Sequence, residues 1–302
     1  MLESIADKKK NLEKSEANGN PWINPVGGFG DMLMLSGVLK LVNEQFPEQK
    51  YNLIRRSNYL TFLKDHPAIQ AVGWPSKGVR TVRTDYWSLE QLGPANQRPF
   101  QILARHYGLQ TPIEEKLYIP GDIPSDSLLL NSIPWKSVNI LIAPSSDSPR
   151  KMMHPIIWHQ LAELMKREGM LVIQVGRLRD LHIRPAYSLL GLTSPWQLLN
   201  VVRNCSAIVT LDNFIMHAAH LTRSRAVVVW GATNHEVYGY PDQTHLQMPK
   251  TCNLSSYDDC IGPTRNEGGQ LYGTACPHGE KHCMNQLQPS QLYEAVRQIL
   301  AK

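Results

Sequence analysis

Apolar residues recur along this chain with two different periods, and the alternation between the periods sets the expected architecture. "MLMLSGVLKLVNEQF" has the i, i+3, i+4 spacing of a helix from Gly30 to Phe46. A strand in "YNLIRR", a short helical stretch in "NYLTFLKDH" and a strand in "AIQAVGW" follow, as in βαβ units around one parallel sheet. "RPFQILARHYGL" reads as a closing helix that turns Ile102, Leu103, Tyr107 and Leu109 towards a core. The stretch from Gly121 to Pro134 has no clear period and several prolines and glycines, which is how a linker reads.

The second half repeats the alternation more regularly. "VNILIAP" is a buried strand, and "PIIWHQLAELMKREG" is a helix with proline in its first turn and glycine at its end. "MLVIQVG" is the next strand, and "SPWQLLNVVRNC" is a helix capped by Ser194 with Leu198, Leu199 and Val202 on one face. "AIVTLD", the helix "NFIMHAAHLTR", the strand "AVVVWG" and the final helix "SQLYEAVRQILAK" complete the array. The expected fold is α/β, with two Rossmann-like domains facing across a cleft. Their bounds are a polar tail over 1–20, an N-terminal domain over 21–128 and a C-terminal domain over 129–302.

Composition changes this picture little. The 302 residues suffice for two domains that each bury a core. With 42% apolar and 19% charged residues the chain reads as soluble and globular. It has no eighteen-residue apolar window, and its opening, with the run Lys8-Lys9-Lys10, lacks the apolar segment of a signal peptide, so a cytoplasmic protein is expected. The net charge of +5 suits phosphorylated small molecules or an anionic membrane surface better than a nucleic-acid duplex, which calls for a denser basic stripe.

The candidate chemistry gathers where strands end. "GGFGDM" puts Gly27, Gly28, Gly30 and Asp31 at the mouth of the first long helix, where glycine permits close approach and helix amides attract negative charge. The spacing is neither a dinucleotide fingerprint nor a P-loop, and a tight turn with Asp31 capping the helix explains it as well. In the second half "APSSDSPRKMMHP" offers the hydroxyls of Ser145 and Ser146 and the cations Arg150 and Lys151, and "TLDNFIMH" offers Asp212, Asn213 and His217. "WGATNHEVYG" follows a third strand. Hydroxyls, a cation pair and a helix N-terminus are the groups that hold a nucleotide diphosphate, and ligands in open α/β sheets bind at strand C-terminal ends.

In order and spacing, GDMLML, SS…RK, GLTSPWQLLNVVRNCSAIVTLDNFIMHAAHL and VVVWGATNHEVYG resemble the ADP-heptose:lipopolysaccharide heptosyltransferases, a glycosyltransferase family with the GT-B fold. The resemblance runs from Gly27 to the last helix. It implies an inverting, metal-independent transfer of heptose from ADP-heptose to a hydroxyl of a lipopolysaccharide core sugar or a protein. It also implies Asp31 as general base, Ser145, Ser146 and Lys151 as phosphate loop, and Asp212 and His217 as the donor-site motif. Arg150 stands beside Lys151, the cation that would stabilise the departing diphosphate. The chain departs from the family where Asp212-Asn213-Phe214 replaces Asp-Ser/Thr-Gly, and "GRLRD" lacks the acidic residue that often meets the ribose.

Four of the five cysteines, Cys252, Cys260, Cys276 and Cys283, crowd into one Gly- and Asp-rich insertion expected over 250–285. Clustered thiols in a cytoplasmic chain read as a metal finger, with zinc or iron satisfying the same four ligands. His278 and His282 are reserve ligands, and Cys205 reads as a buried thiol. The "CPHGEKHCM" ending resembles autotransporter (protein) heptosyltransferases, which carry such a finger with iron. Two other readings stand beside the enzyme: a catalytically retired relative that binds a nucleotide sugar as an assembly or sensing module, and a zinc-finger nucleic-acid protein. The acceptor and the oligomeric state are open, and a lipopolysaccharide acceptor would favour a peripheral position at the inner membrane.

Overall fold

The computed structural model describes residues 19–55, 58–89, 97–249, 252, 260, 275, 276, 278, 279 and 282–301, and the chain divides into two units, residues 1–122 and 123–302. The polar tail with Lys8–Lys10, and most of the cysteine-rich insertion, lie outside the described residues.

The first unit is built on four short parallel strands: β1 (Trp22–Ile23), β2 (Tyr51–Ile54), β3 (Ile69–Gly73) and β4 (Thr81–Val82), in the order β3-β2-β1-β4. Helix α1 (Phe29–Gln45) follows β1 and buries Leu33, Leu35, Val38, Leu39 and Val42 completely. Two short helices, α2 (Tyr86–Leu89) and α3 (Pro99–His106), complete the unit. The expected core residues Ile102, Leu103, Tyr107 and Leu109 are all buried. The helical reading of "NYLTFLKDH" becomes a single 3-10 stretch over Asn58–Phe62. Gly37 lets α1 approach its neighbour closely: a Cβ there would stand 2.0 Å from the Lys116 carbonyl oxygen.

The second unit has a six-stranded sheet, all parallel, flanked by longer helices. In chain order it comprises α4 (Ser127–Ser132), β5 (Asn139–Ala143), α5 (Pro155–Arg167), β6 (Leu171–Gln174), β7 (Tyr187–Ser188) and α6 (Pro195–Asn204). Then come β8 (Ala207–Leu211), α7 (Phe214–Thr222), β9 (Ala226–Trp230), α8 (His235–Tyr238), β10 (Thr244–Gln247) and α9 (Pro289–Leu300). The strand order is β10-β9-β8-β5-β6-β7. The central strands β5, β8 and β9 are buried on both faces, as their unbroken apolar runs require. Ser194 caps α6 with its hydroxyl accepting the Gln197 N–H, and the Gln197 side chain returns a bond to the Ser194 N–H. The stretch read as linker contains α4, capped by the Asp126 carboxylate.

Both sheets reverse direction of growth once. In the first the order steps from β1 out to β3 and then back to β4; in the second it steps from β5 out to β7 and then back to β8. The crevices beyond the C-terminal ends of β1 and β5 are therefore the topological switch points, where ligands of open α/β sheets bind. Among the described residues, no helix is long and apolar enough to cross a membrane.

Candidate functional site

At the switch point of the second sheet three loops meet on one carboxylate. Asp212 directly follows β8, and its Oδ2 lies 2.7 Å from the Lys151 ammonium and accepts a 2.7 Å hydrogen bond from the Thr233 hydroxyl. Only 13% of the Lys151 side chain and 12% of the Asp212 side chain are exposed, so this pair interacts through a medium of much lower dielectric than water. Burial opposes ionisation of Asp212. The Lys151 charge and the two hydrogen bonds outweigh it and hold the carboxyl below the usual carboxylate range. The site thus contains an ionised aspartate that fixes a lysine near a helix N-terminus.

Asn213 builds the wall behind it. Its Oδ1 caps α7 by accepting the Ile215 N–H at 2.8 Å and also accepts the Thr210 hydroxyl at 2.9 Å. Its Nδ2 donates to the carbonyls of Ala143 at 3.2 Å and Ser145 at 2.9 Å. A side-chain amide has two donors and two acceptor positions, and all four are used. This side chain braces the loop after β5 against the start of α7. Ser146 adds a weaker tie, its hydroxyl donating to the Asp212 carbonyl at 3.3 Å. Ser145 is held through its backbone and stands partly exposed beside it.

His217 lies one helical turn beyond Asp212 on α7, with Nδ1 2.7 Å from the Tyr240 hydroxyl. Burial pushes its pKa down to about 4, with the Asp212 charge pulling the other way, so the ring is neutral at physiological pH. The Tyr240 ring stacks on His220 at 3.9 Å, and His220 pairs with Asp242 at 2.8 Å. Sequence reasoning quoted the loop holding Thr233 without assigning it. Thr233 and Tyr240 became visible only when the fold brought the ends of β8 and β9 together.

Arg150 does not share the position of Lys151. Its guanidinium is buried, and Nη1 donates to the Cys260 carbonyl at 3.2 Å and lies 3.7 Å from the Cys260 sulfur. Burial, with the charge of Cys260 adding to it, pushes the Cys283 thiol up to about 11. Cys260 is raised as well, by burial and by the charges of Cys276 and Cys252, against the lowering effect of Arg150. Cys205 stands apart, its thiol pushed up to about 12 by burial. Among the described residues no group of three or more His, Cys, Asp or Glu side chains is arranged to hold a metal ion.

At the first sheet's switch point the glycines and Asp31 form one unit. Gly27 has φ +111°, and a Cβ on it would fall 2.4 Å from Asp31 Oδ2. That oxygen accepts the Gly28 N–H at 2.7 Å, so Asp31, at the third position of α1, reaches back to satisfy the helix entry. Gly30 is buried in the first turn. The loop is tied to the end of β4 through Thr84, whose hydroxyl accepts the Val26 N–H at 2.8 Å. The three glycines and the aspartate serve a turn that brings a carboxylate against backbone, and the same turn fixes the direction of that carboxylate.

No protein-family model and no curated protein matches the sequence. Solved structures do. A family 9 glycosyltransferase from Veillonella parvula is similar over 93% of this chain and 97% of its own, with a TM-score of 0.64 and 11% identity. The ADP-heptose lipopolysaccharide heptosyltransferase II of E. coli is similar over 93% and 98%, with a TM-score of 0.58 and 14% identity. TibC of enterotoxigenic E. coli, an iron-containing dodecameric glycosyltransferase, is similar over 93% and 76%, with a TM-score of 0.65 and 15% identity, and another TibC structure is a complex with ADP-D-β-D-heptose. At these identities the likeness is one of fold: two α/β units, each on a parallel sheet, as in the GT-B glycosyltransferases.

Proposed function

We propose that the protein is an inverting glycosyltransferase that takes a sugar, heptose in the leading case, from an ADP-sugar to a hydroxyl of a lipopolysaccharide core sugar or of a protein. The observation that carries the reading is the Lys151–Asp212–Thr233 cluster at the switch point of the second sheet, in a fold shared with heptosyltransferases.

In this reading the diphosphate lies at the N-terminus of α7 and against the loop of Ser145, Ser146 and Lys151. Amides and an ammonium stabilise the negative charge that grows on it. Asp212 orients Lys151, whose three N–H donors allow it to hold the carboxylate and a phosphate oxygen together. Asp31 takes the proton from the acceptor hydroxyl, the acceptor oxygen bonds to the anomeric carbon, and the bond to the phosphate oxygen breaks with its electron pair leaving on ADP. One displacement inverts the anomeric centre. The N-terminus of α1 favours the ionised carboxylate and reduces its basicity, so orientation by Gly28 contributes more than pKa.

Cys252, Cys260, Cys276 and Cys283 would hold a structural iron or zinc ion, a reading supported by their clustering along the sequence and by the iron of the structurally similar TibC. Such an ion would supply folding free energy to the insertion and no step of the reaction.

The test is ADP release from ADP-heptose in the presence of lipopolysaccharide core or protein acceptor, with Asp31→Asn as the comparison. Release that depends on acceptor and falls at least a hundredfold in the variant, as expected for a lost general base, supports transfer. Saturable ADP binding without release by the native chain would identify a binding module instead.

A further inference from the structure

The segment from His282 to Leu287 touches both loops that deliver partners to Asp212. On one side it grips the loop of Lys151. The Asn285 side chain accepts the His154 N–H at 2.7 Å, and Met153 joins the core cluster of Met284 and Leu287. Arg150 is gripped in turn by Cys260. On the other side lies Gly231, which opens the loop of Thr233. A Cβ on Gly231 would stand 2.2 Å from the Met284 sulfur and 3.1 Å from the Cys283 sulfur, so this glycine exists to admit that segment. Lys151 and Thr233 bond the same carboxylate oxygen, and both loops rest on the same support.

The geometry points to the cysteine-bearing segment as the clamp that sets the distance between Lys151 and Asp212, with Arg150 as its positioning residue rather than a phosphate ligand. A buried guanidinium bonded to the carbonyl of Cys260 is placed to hold the backbone at Pro149–Lys151, and the adjacent lysine is what that backbone presents to the site. The inference rests on the proposed nucleotide site only for its affinity readout.

The test uses the full chain as purified, with ADP as probe, and compares Arg150→Met, Lys151→Met, the double variant and Asn285→Ala. Amide exchange of 149–154 should accelerate in Arg150→Met and in Asn285→Ala while β5 keeps its protection. ADP affinity should fall roughly tenfold in Arg150→Met, the loss of about one charged hydrogen bond. In the Lys151→Met background the same change should cost nothing, because Arg150 acts through Lys151, and Arg150→Lys should restore part of the affinity. An equal loss in both backgrounds would make Arg150 a direct ligand and overturn the clamp, as would unchanged exchange in both single variants. Absence of ADP binding by the native chain would sink the nucleotide site while the exchange data still judge the clamp. Asn285→Ala, on an exposed contact, decides the matter if Arg150→Met does not fold.

Discussion

Replacing Gly27 by alanine separates the two jobs of the glycine loop. At φ +111° an L-residue pays about 1–2 kcal/mol for the backbone alone. The new Cβ would also sit 2.4 Å from Asp31 Oδ2 and 2.7 Å from its Cγ, a distance that has to open by nearly an ångström. The carboxylate can only move away, which breaks its bond to the Gly28 N–H, a charged hydrogen bond contributing roughly 1.5–3 kcal/mol. The expected cost is about 3 kcal/mol, read by urea denaturation as a lower midpoint for the first unit at unchanged slope. Gly28→Ala is the control. Its φ is −97°, and its Cβ would stand 3.9 Å from Asp31, so it should cost less than 1 kcal/mol. If Asp31 is the base, Gly27→Ala should also cut transfer without touching any carboxylate, and Gly28→Ala should not. Equal stability of the two variants would refute the close approach of Asp31 to Gly27.

His66 predicts a pH dependence of the first unit. It is buried, its Nδ1 accepts the Ala68 N–H at 3.0 Å, and its Nε2 therefore carries the proton that meets the Ser36 carbonyl at 3.1 Å. Burial pushes its pKa down to about 4 against 6.5 unfolded, so its stabilising contribution is complete above pH 6.5 and is lost as pH falls to 4, by roughly 3 kcal/mol in total. Unfolding free energies of the native chain and His66→Gln across that range check this, and parallel curves would contradict it. Asp212→Asn should destabilise the second unit by about 3 kcal/mol, because the Lys151 ammonium stays buried without its carboxylate, and adding Lys151→Met should recover most of that. The double-mutant cycle measured by thermal unfolding decides it, additivity being the contrary result. A strong chelator under reducing conditions should remove one metal ion per chain and lower the melting temperature; a chain that elemental analysis finds metal-free as purified contradicts the four-thiol site.

How much of this was legible in sequence follows from what each element depends on. Helix α5 announces itself, with proline at its first position and an apolar stripe, and the central strands β5, β8 and β9 are uninterrupted apolar runs. The strands that escaped, β4, β7 and β10, are two to four residues long at sheet edges, where one neighbour supplies the pairing and little apolar burial is needed. Asp31, Lys151 and Asp212 could be singled out because strand ends in α/β sheets are privileged positions. What could not be read were bonds between distant loops. The Asn213 side chain braces two loops, and Arg150, next to Lys151 in sequence, is held by Cys260, 110 residues away. Neighbouring residues in a loop share a sequence context but not a direction, and only the packed structure assigns direction.

The measurement that bears most directly on the account is thermal stabilisation of the metal-replete native chain and of Lys151→Met by ADP, UDP, GDP and CMP at matched excess. A nucleotide at a hundred times its dissociation constant adds about 2.7 kcal/mol. The account predicts such a shift with ADP, little with the other three, and a much smaller ADP shift in Lys151→Met. No stabilisation by any nucleotide, or an ADP shift of equal size in the variant, would contradict a diphosphate site built on Lys151 and Asp212.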